Sequence, residues 1–163
     1  MHAFEPDAWR DFFVTTGSIG AAIAGLVFVA ISINLREILR SPSIVGRGAE
    51  AVLLLLSIAA VAIVGVWPAD RVVVGAALFL VGAVTWITLL TIVGRRDSGI
   101  GASTRQHGAR LILGQLATLP TILAGASLAI GVGPGLNVLV PGALFSLVAG
   151  VVGAWVLLVE ILR

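Results

Sequence analysis

Residues 72–93 read VVVGAALFLVGAVTWITLLTIV, and from Val72 to Val93 there is no Asp, Glu, Lys, Arg or His. A helix rises about 1.5 Å per residue, so this run is about 33 Å long, enough to cross the roughly 30 Å hydrocarbon core of a bilayer. Apolar core helices of water-soluble domains are shorter and keep a charged face, and this run has none. Four further runs share its character: Phe12 to Ile33, Ala51 to Trp67, Leu111 to Val132 and Val138 to Val159. None has an ionisable residue in its interior. The expected fold is all-α, an integral membrane bundle of five transmembrane helices over about 12–33, 49–67, 71–94, 110–132 and 138–160. These form a single transmembrane domain spanning residues 1–163.

Composition agrees. Hydrophobic residues make up 59% of the chain and charged residues 11%. Soluble domains carry about 25% charged residues, so these charges are too few to coat a water-facing surface. The longest polar stretches, Leu35 to Glu50 and Gly94 to Arg110, read as connecting loops. Cysteine is absent, which excludes disulfides and thiolate metal sites. No basic cluster is interleaved with aromatics, which argues against nucleic acid as a partner. The chain starts with acids, Glu5, Asp7 and Asp11, where a cleavable signal starts with bases. The first apolar run is therefore expected to persist as a helix.

Arginine placement gives an orientation. Cytoplasmic loops of membrane proteins carry an excess of Lys and Arg. With five spans, one side receives Arg36, Arg40, Arg47, Arg95, Arg96, Arg105, Arg110 and Arg163, and the other only Arg10 and Arg71. The N-terminus is expected outside and the C-terminus in the cytoplasm of a bacterial inner (plasma) membrane. Trp9, Phe12, Phe13 and Trp67 then fall at the outer headgroup level, where aromatic rings are favoured. Trp86 and Trp155 lie deeper and are expected between helices or against lipid.

The second and third spans form a hairpin around Trp67-Pro68-Ala69-Asp70-Arg71, and the fourth and fifth a hairpin around Gly131 to Asn137. Gly65-Val66, Pro68, Val72, Val74 and Ala77-Leu78-Phe79 fall on Gly131-Val132, Pro134, Val138, Val140 and Ala143-Leu144-Phe145 at one constant offset. Duplication of a helical hairpin in parallel orientation would leave this pattern. The first span is then the added element. Its tail Glu37-Ile38-Leu39-Arg40 recurs as Glu160-Ile161-Leu162-Arg163. Ser103 and Gln106 have capping-box spacing, so the fourth helix is expected to begin near Thr104, before the membrane proper.

Chemistry has little to work with. Ionisable groups at mid-depth mark ion paths and proton relays because they cost about 2.5–3.5 kcal/mol each to insert, and the runs hold none. Asp11, Glu50 and Glu160 lie near span ends. Glu50 follows Arg47 by three residues and Glu160 precedes Arg163 by three, spacings that allow ion pairs on one helix face. Arg36, Arg40, Arg47, Glu50 and Glu160 form the expected cytoplasmic interface. No His-Glu-x-x-His, no Ser/His or Ser/Lys pair in the spans and no phosphate-binding GxxxxGK[ST] loop occurs. The reading is against an enzyme, and no cofactor or metal is expected. The outer loop Ile130 to Gly135 resembles a potassium-channel filter only in its glycines, since no re-entrant half-helix precedes it.

The spans do hold mild polarity. Gly114, Thr118, Thr121 and Gly125 share a helix face; Thr85, Thr88 and Thr91 recur every three residues; Gly17, Ala21 and Ala24 share one side of the first span. Small residues let helices approach, and hydroxyls bond between them. Pro120 is expected to kink its helix, with nearby hydroxyls satisfying the freed carbonyl. Asn34, Thr85, Thr88, Gln115, Thr118 and Thr121 are thus either a packing face or a polar path.

Ala8-Trp9-Arg10-Asp11-Phe12-Phe13-Val14, Gly25-Leu26-Val27-Phe28-Val29, Ser32-Ile33-Asn34-Leu35 and Gly46-Arg47-Gly48-Ala49-Glu50-Ala51 together resemble small multi-pass membrane proteins of high-GC bacteria. Some of those carry the label modulator of the FtsH membrane protease. The resemblance covers mainly the first third of the chain and carries no catalytic residue. It implies a protein that binds and restrains a protease. Two functions are expected on these grounds. The first is a small non-enzymatic subunit, regulator or scaffold acting through helix packing in the lipid bilayer, with a larger membrane protein or with copies of itself. The second is a homo-oligomeric channel or small-solute permease lined by the Thr and Gln stripes.

Overall fold

The computed structural model describes residues 3–33, 35–40, 42–94 and 104–161. A 3-10 turn, Pro6–Trp9, leads into α1 (Arg10–Ile33), followed by α2 (Leu35–Arg40), α3 (Pro42–Gly65), α4 (Arg71–Gly94) and α5 (Thr104–Ile130). A second 3-10 turn, Gly135–Val138, precedes α6 (Leu139–Ile161). No strand occurs among the described residues. Among the described residues five helices are long and apolar enough to cross a membrane.

The helix ends differ from the sequence reading in places. Most of the expected loop from Leu35 to Glu50 is helical, as α2 and the first turns of α3. Pro42 opens α3, a position where its missing N–H costs nothing and its fixed φ is already helical. At its other end α3 stops at Gly65, short of Trp67. Pro68 accounts for this, because the residue before a proline is disfavoured in helical backbone. α5 begins at Thr104, where capping-box spacing places it, although Ser103 and the rest of the Arg95–Ser103 loop lie outside the described residues.

α3, α4, α5 and α6 pack in a closed ring, each touching the next, and α1 lies outside the ring against α3 with an edge on α6. Paired positions run in opposite directions along each contact: Gly75 with Ala129 and Gly82 with Ile122 between α4 and α5; Gly17 with Ala62 and Gly20 with Ile58 between α1 and α3. The α4–α5 contact is the most extensive, and glycine explains it. A Cβ on Gly75 would lie 2.5 Å from the Ala129 backbone nitrogen, and one on Gly125 would run into the backbone of Phe79. Missing side chains on both helices allow main chain to approach main chain. On α1 the buried residues are Phe13, Gly20 and Val27, spaced by seven. Ala21, expected on the packing side with Gly17, is exposed.

One cluster of buried side chains lies at the end of the bundle that holds the hairpin turns. Phe13, Val74, Leu78, Leu128 and Leu136 are fully buried there. Sequence position puts Phe13 at the headgroup level beside Trp9 and Phe12. Its ring instead fills the space left by Gly65, where a Cβ would strike it, while Trp9 and Phe12 pack around the outside of the same cluster. The turn between α5 and α6 is built around three glycines at positive φ: Gly131 (78°), Gly133 (100°) and Gly135 (61°), a region that other residues enter only at a cost. Ser127 donates to the Val132 carbonyl (2.7 Å) and accepts from the Gly135 N–H (2.8 Å), and the Leu136 N–H ties the N-terminal segment down through the Ala3 carbonyl (2.8 Å).

Large apolar side chains also cover the outside: Leu26, Phe28 and Ile33 on α1, Leu80 and Val84 on α4, Leu144, Val148 and Trp155 on α6. Water-soluble monomers rarely expose contiguous apolar surface on this scale. A hydrocarbon surrounding removes the penalty.

Candidate functional site

The polar residues of the spans mostly turn back on their own helices. Thr85 donates to the Val81 carbonyl (2.8 Å), Thr88 to Val84 (2.8 Å), Thr91 to Thr88 (2.8 Å) and Thr118 to Gly114 (2.8 Å). Such i−3 and i−4 bonds satisfy a hydroxyl where no water is at hand. Gln115 is taken up by the indole of Trp86, whose Nε1–H donates to its Oε1 at 2.7 Å. The deep tryptophan thus packs between helices, joining α4 to α5, while Trp155 faces outward, 67% exposed. Thr85 and Thr118 are buried, whereas Thr88 and Gln115 are half-buried. Asn34 lies outside the described residues, as do the side chains of Arg40 and Glu160.

Thr121 has different company. With Thr16 of α1, Ser57 of α3 and Ser146 of α6 it borders a cavity of about 20 Å³, roughly the space one water needs. Thr16 donates to Phe12 (2.7 Å), Ser57 to Leu54 (2.7 Å) and Ser146 across to the Ala117 carbonyl of α5 (3.3 Å). The last bond lies near Pro120, as expected, but on Ala117; the carbonyl that Pro120 deprives of its partner is that of Leu116, four residues back. α5 continues through Pro120, which seats against Gly142 of α6. No sequence signal marks Thr16, Ser57 or Ser146, because their meeting depends on the register of four helices.

An ion pair between two helices lies at the opposite end from the turns. Arg110 Nη2, at the start of the apolar part of α5, donates to Glu50 Oε1 of α3 in an ion pair. The residues are sixty apart in sequence. Spacing alone suggests a local Glu50–Arg47 pair; the fold adds a bridge across the helix ring. Side-chain exposure is 14% for Glu50 and 29% for Arg110, so the pair is partly withdrawn from solvent. Beside it opens a cleft of about 310 Å³. Arg47, Glu50 and Arg110 form its polar rim; Leu54, Leu89, Leu113 and Val152 contribute most of its apolar wall. Arg36 is exposed on α2, the short helix that precedes α3. Among the described residues no group of three His, Asp or Glu comes together as metal ligands would. The described lining of the cleft sets charged groups beside apolar ones. No family model, curated protein or solved structure matches this chain.

Proposed function

We propose that this chain is a non-enzymatic multi-pass protein of a bacterial cell membrane, a small subunit, regulator or scaffold that acts through helix–helix packing. The observation that carries this reading is the inward spending of polarity: the Thr hydroxyls bond to their own helices and Gln115 is held by Trp86. Peripheral α1 adds support. It is bound on one narrow face and leaves Leu26, Phe28 and Val29 outward, a surface on which another membrane helix can lie. The arginine distribution supports an N-terminus outside and a C-terminus in the cytoplasm. A parallel duplication of hairpins fits the ring order, since α3–α4 followed by α5–α6 is the cycle that two copies of one hairpin would generate. The likeness of the N-terminal third to proteins labelled FtsH modulators suggests a membrane protease as a partner.

Affinity purification of the tagged full-length protein in mild detergent tests this. A stoichiometric larger membrane protein is the expected companion, and Leu26→Ala with Phe28→Ala should weaken its retention. A partnerless monomer in several detergents would remove the reading. The second reading, a homo-oligomeric channel or small-solute permease, draws on the four hydroxyls around the Thr121 cavity. Solute flux into proteoliposomes that falls with Thr121→Val would favour it over packing.

A further inference from the structure

We propose that the cleft at the arginine end of the bundle binds one anionic phospholipid, with its phosphate between Arg47 and Arg110 and an acyl chain against the apolar wall. Charge is the first ground. Among the described residues that line the cleft are two arginines and one glutamate, an excess of one positive charge that an anionic headgroup complements. Basic pockets between transmembrane helices are suited to such headgroups. Depth is the second. Glu50 immediately precedes the apolar run of α3 and Arg110 that of α5, which places the rim where hydrocarbon gives way to headgroups. Shape is the third. Behind the rim the wall is formed by Leu54, Leu89 and Leu113, with half-exposed Val152 at the edge. A volume of about 310 Å³ is at the small end of ligand sites, roughly 300–1,000 Å³. It suits a single chain segment, with the remaining lipid lying along the outside of the bundle.

Glu50 has a defined part in this site. It engages Arg110 through Nη2, and a guanidinium has five N–H donors in a rigid fork. One carboxylate can therefore hold the arginine in place while other donors remain for a phosphate. A zwitterionic headgroup brings its own cation to the same rim and gains less. The proposal goes beyond a packing role and requires only that the chain lie in a bilayer.

Native mass spectrometry of the full-length protein released from detergent micelles tests it. Phosphatidylglycerol and phosphatidylcholine of matched chains are titrated, with glycerol 3-phosphate as a phosphate ligand without chains. One phosphatidylglycerol per chain should be retained, about fivefold or more in preference to phosphatidylcholine. Arg110→Gln or Arg47→Gln should each lower that preference about fivefold. Ala149→Phe, which fills the cleft from α6, should reduce retention of both lipids; Val152→Phe at the rim does the same if the first variant fails to fold. Equal retention of the two lipids would overturn the proposal. So would competition by glycerol 3-phosphate at the concentrations at which the lipid binds, or wild-type phosphatidylglycerol retention in folded arginine and cleft-filling variants.

Discussion

Glu50 and Arg110 illustrate how far single residues can be read. Each is visible as a charge at the edge of an apolar run, but nothing in the spacing says that they meet, because their contact depends on how four helices close. Their energetics follow from exposure. Fully exposed ion pairs contribute about 0–1 kcal/mol, and breaking a fully buried pair costs about 3–5 kcal/mol. At 14% and 29% side-chain exposure this pair lies between the limits. Glu50→Gln and Arg110→Gln should each lower unfolding free energy in detergent by about 1–2 kcal/mol. The double variant should lose clearly less than the sum, whereas strict additivity in a double-mutant cycle would mean that the two groups do not interact. Trp86 and Gln115 repeat the lesson without charge. A deep tryptophan and a lone amide both stand out in the sequence, yet their bond at 2.7 Å needs the α4–α5 register. Trp86→Phe should destabilise by about 0.6–1.7 kcal/mol, from the average to the maximum measured for hydrogen bonds between membrane helices, and denaturant titration of the reconstituted protein would reveal it.

Helices are legible where length alone decides and illegible where neighbours decide. The run from Val72 to Val93 is α4 almost to the residue, since its charged flank Arg71 and the polar segment beyond Gly94 bracket it. The start of α3 is not legible, because the polar segment that follows Pro42 looks like loop until one asks what a proline at the first helical position permits. Register is harder still. Apolar spans offer no charge pattern to align, and the alignment is set by which glycines face which backbones. That dependence can be tested by sign. Alanine is a better helix former than glycine by about 0.8–1.0 kcal/mol, so Gly→Ala in open space is neutral or stabilising. A Cβ added to Gly25 would meet nothing within 4 Å, and Gly25→Ala should be neutral to slightly stabilising. A Cβ on Gly75 would lie 2.5 Å from the Ala129 nitrogen, main chain that cannot swing aside. Gly75→Ala should therefore destabilise by about 1–3 kcal/mol, the cost of overpacking, and paired thermal melts of the two variants give the comparison. Equal melting temperatures would mean that α4 and α5 do not approach as described.

A closed ring of α3 to α6 with α1 fastened to its side makes the molecule asymmetric in two senses. Laterally, one helix depends on the ring for its place, and Phe13 enters the niche at Gly65. Vertically, the two ends differ: glycine turns and a tied-down N-terminal segment at one, Arg36, Arg47, Glu50 and Arg110 at the other. The fold is indifferent to which end faces the cytoplasm, since packing energies do not change when a bundle is inverted. The proposed orientation rests on the charge distribution, eight arginines against two in sequence, because basic loops tend to be retained on the cytoplasmic side. The natural chain has no cysteine, so single-cysteine variants can report sidedness without background. Asn137 is exposed in the turn before α6 and Leu35 is exposed at the start of α2, at opposite ends of the bundle. In intact cells Asn137→Cys should react with a membrane-impermeant maleimide and Leu35→Cys should not, reacting only after permeabilisation. The reverse pattern would invert the orientation, and labelling of both from one side would mean that α1 and the ring are not threaded through the bilayer in the order their connections require.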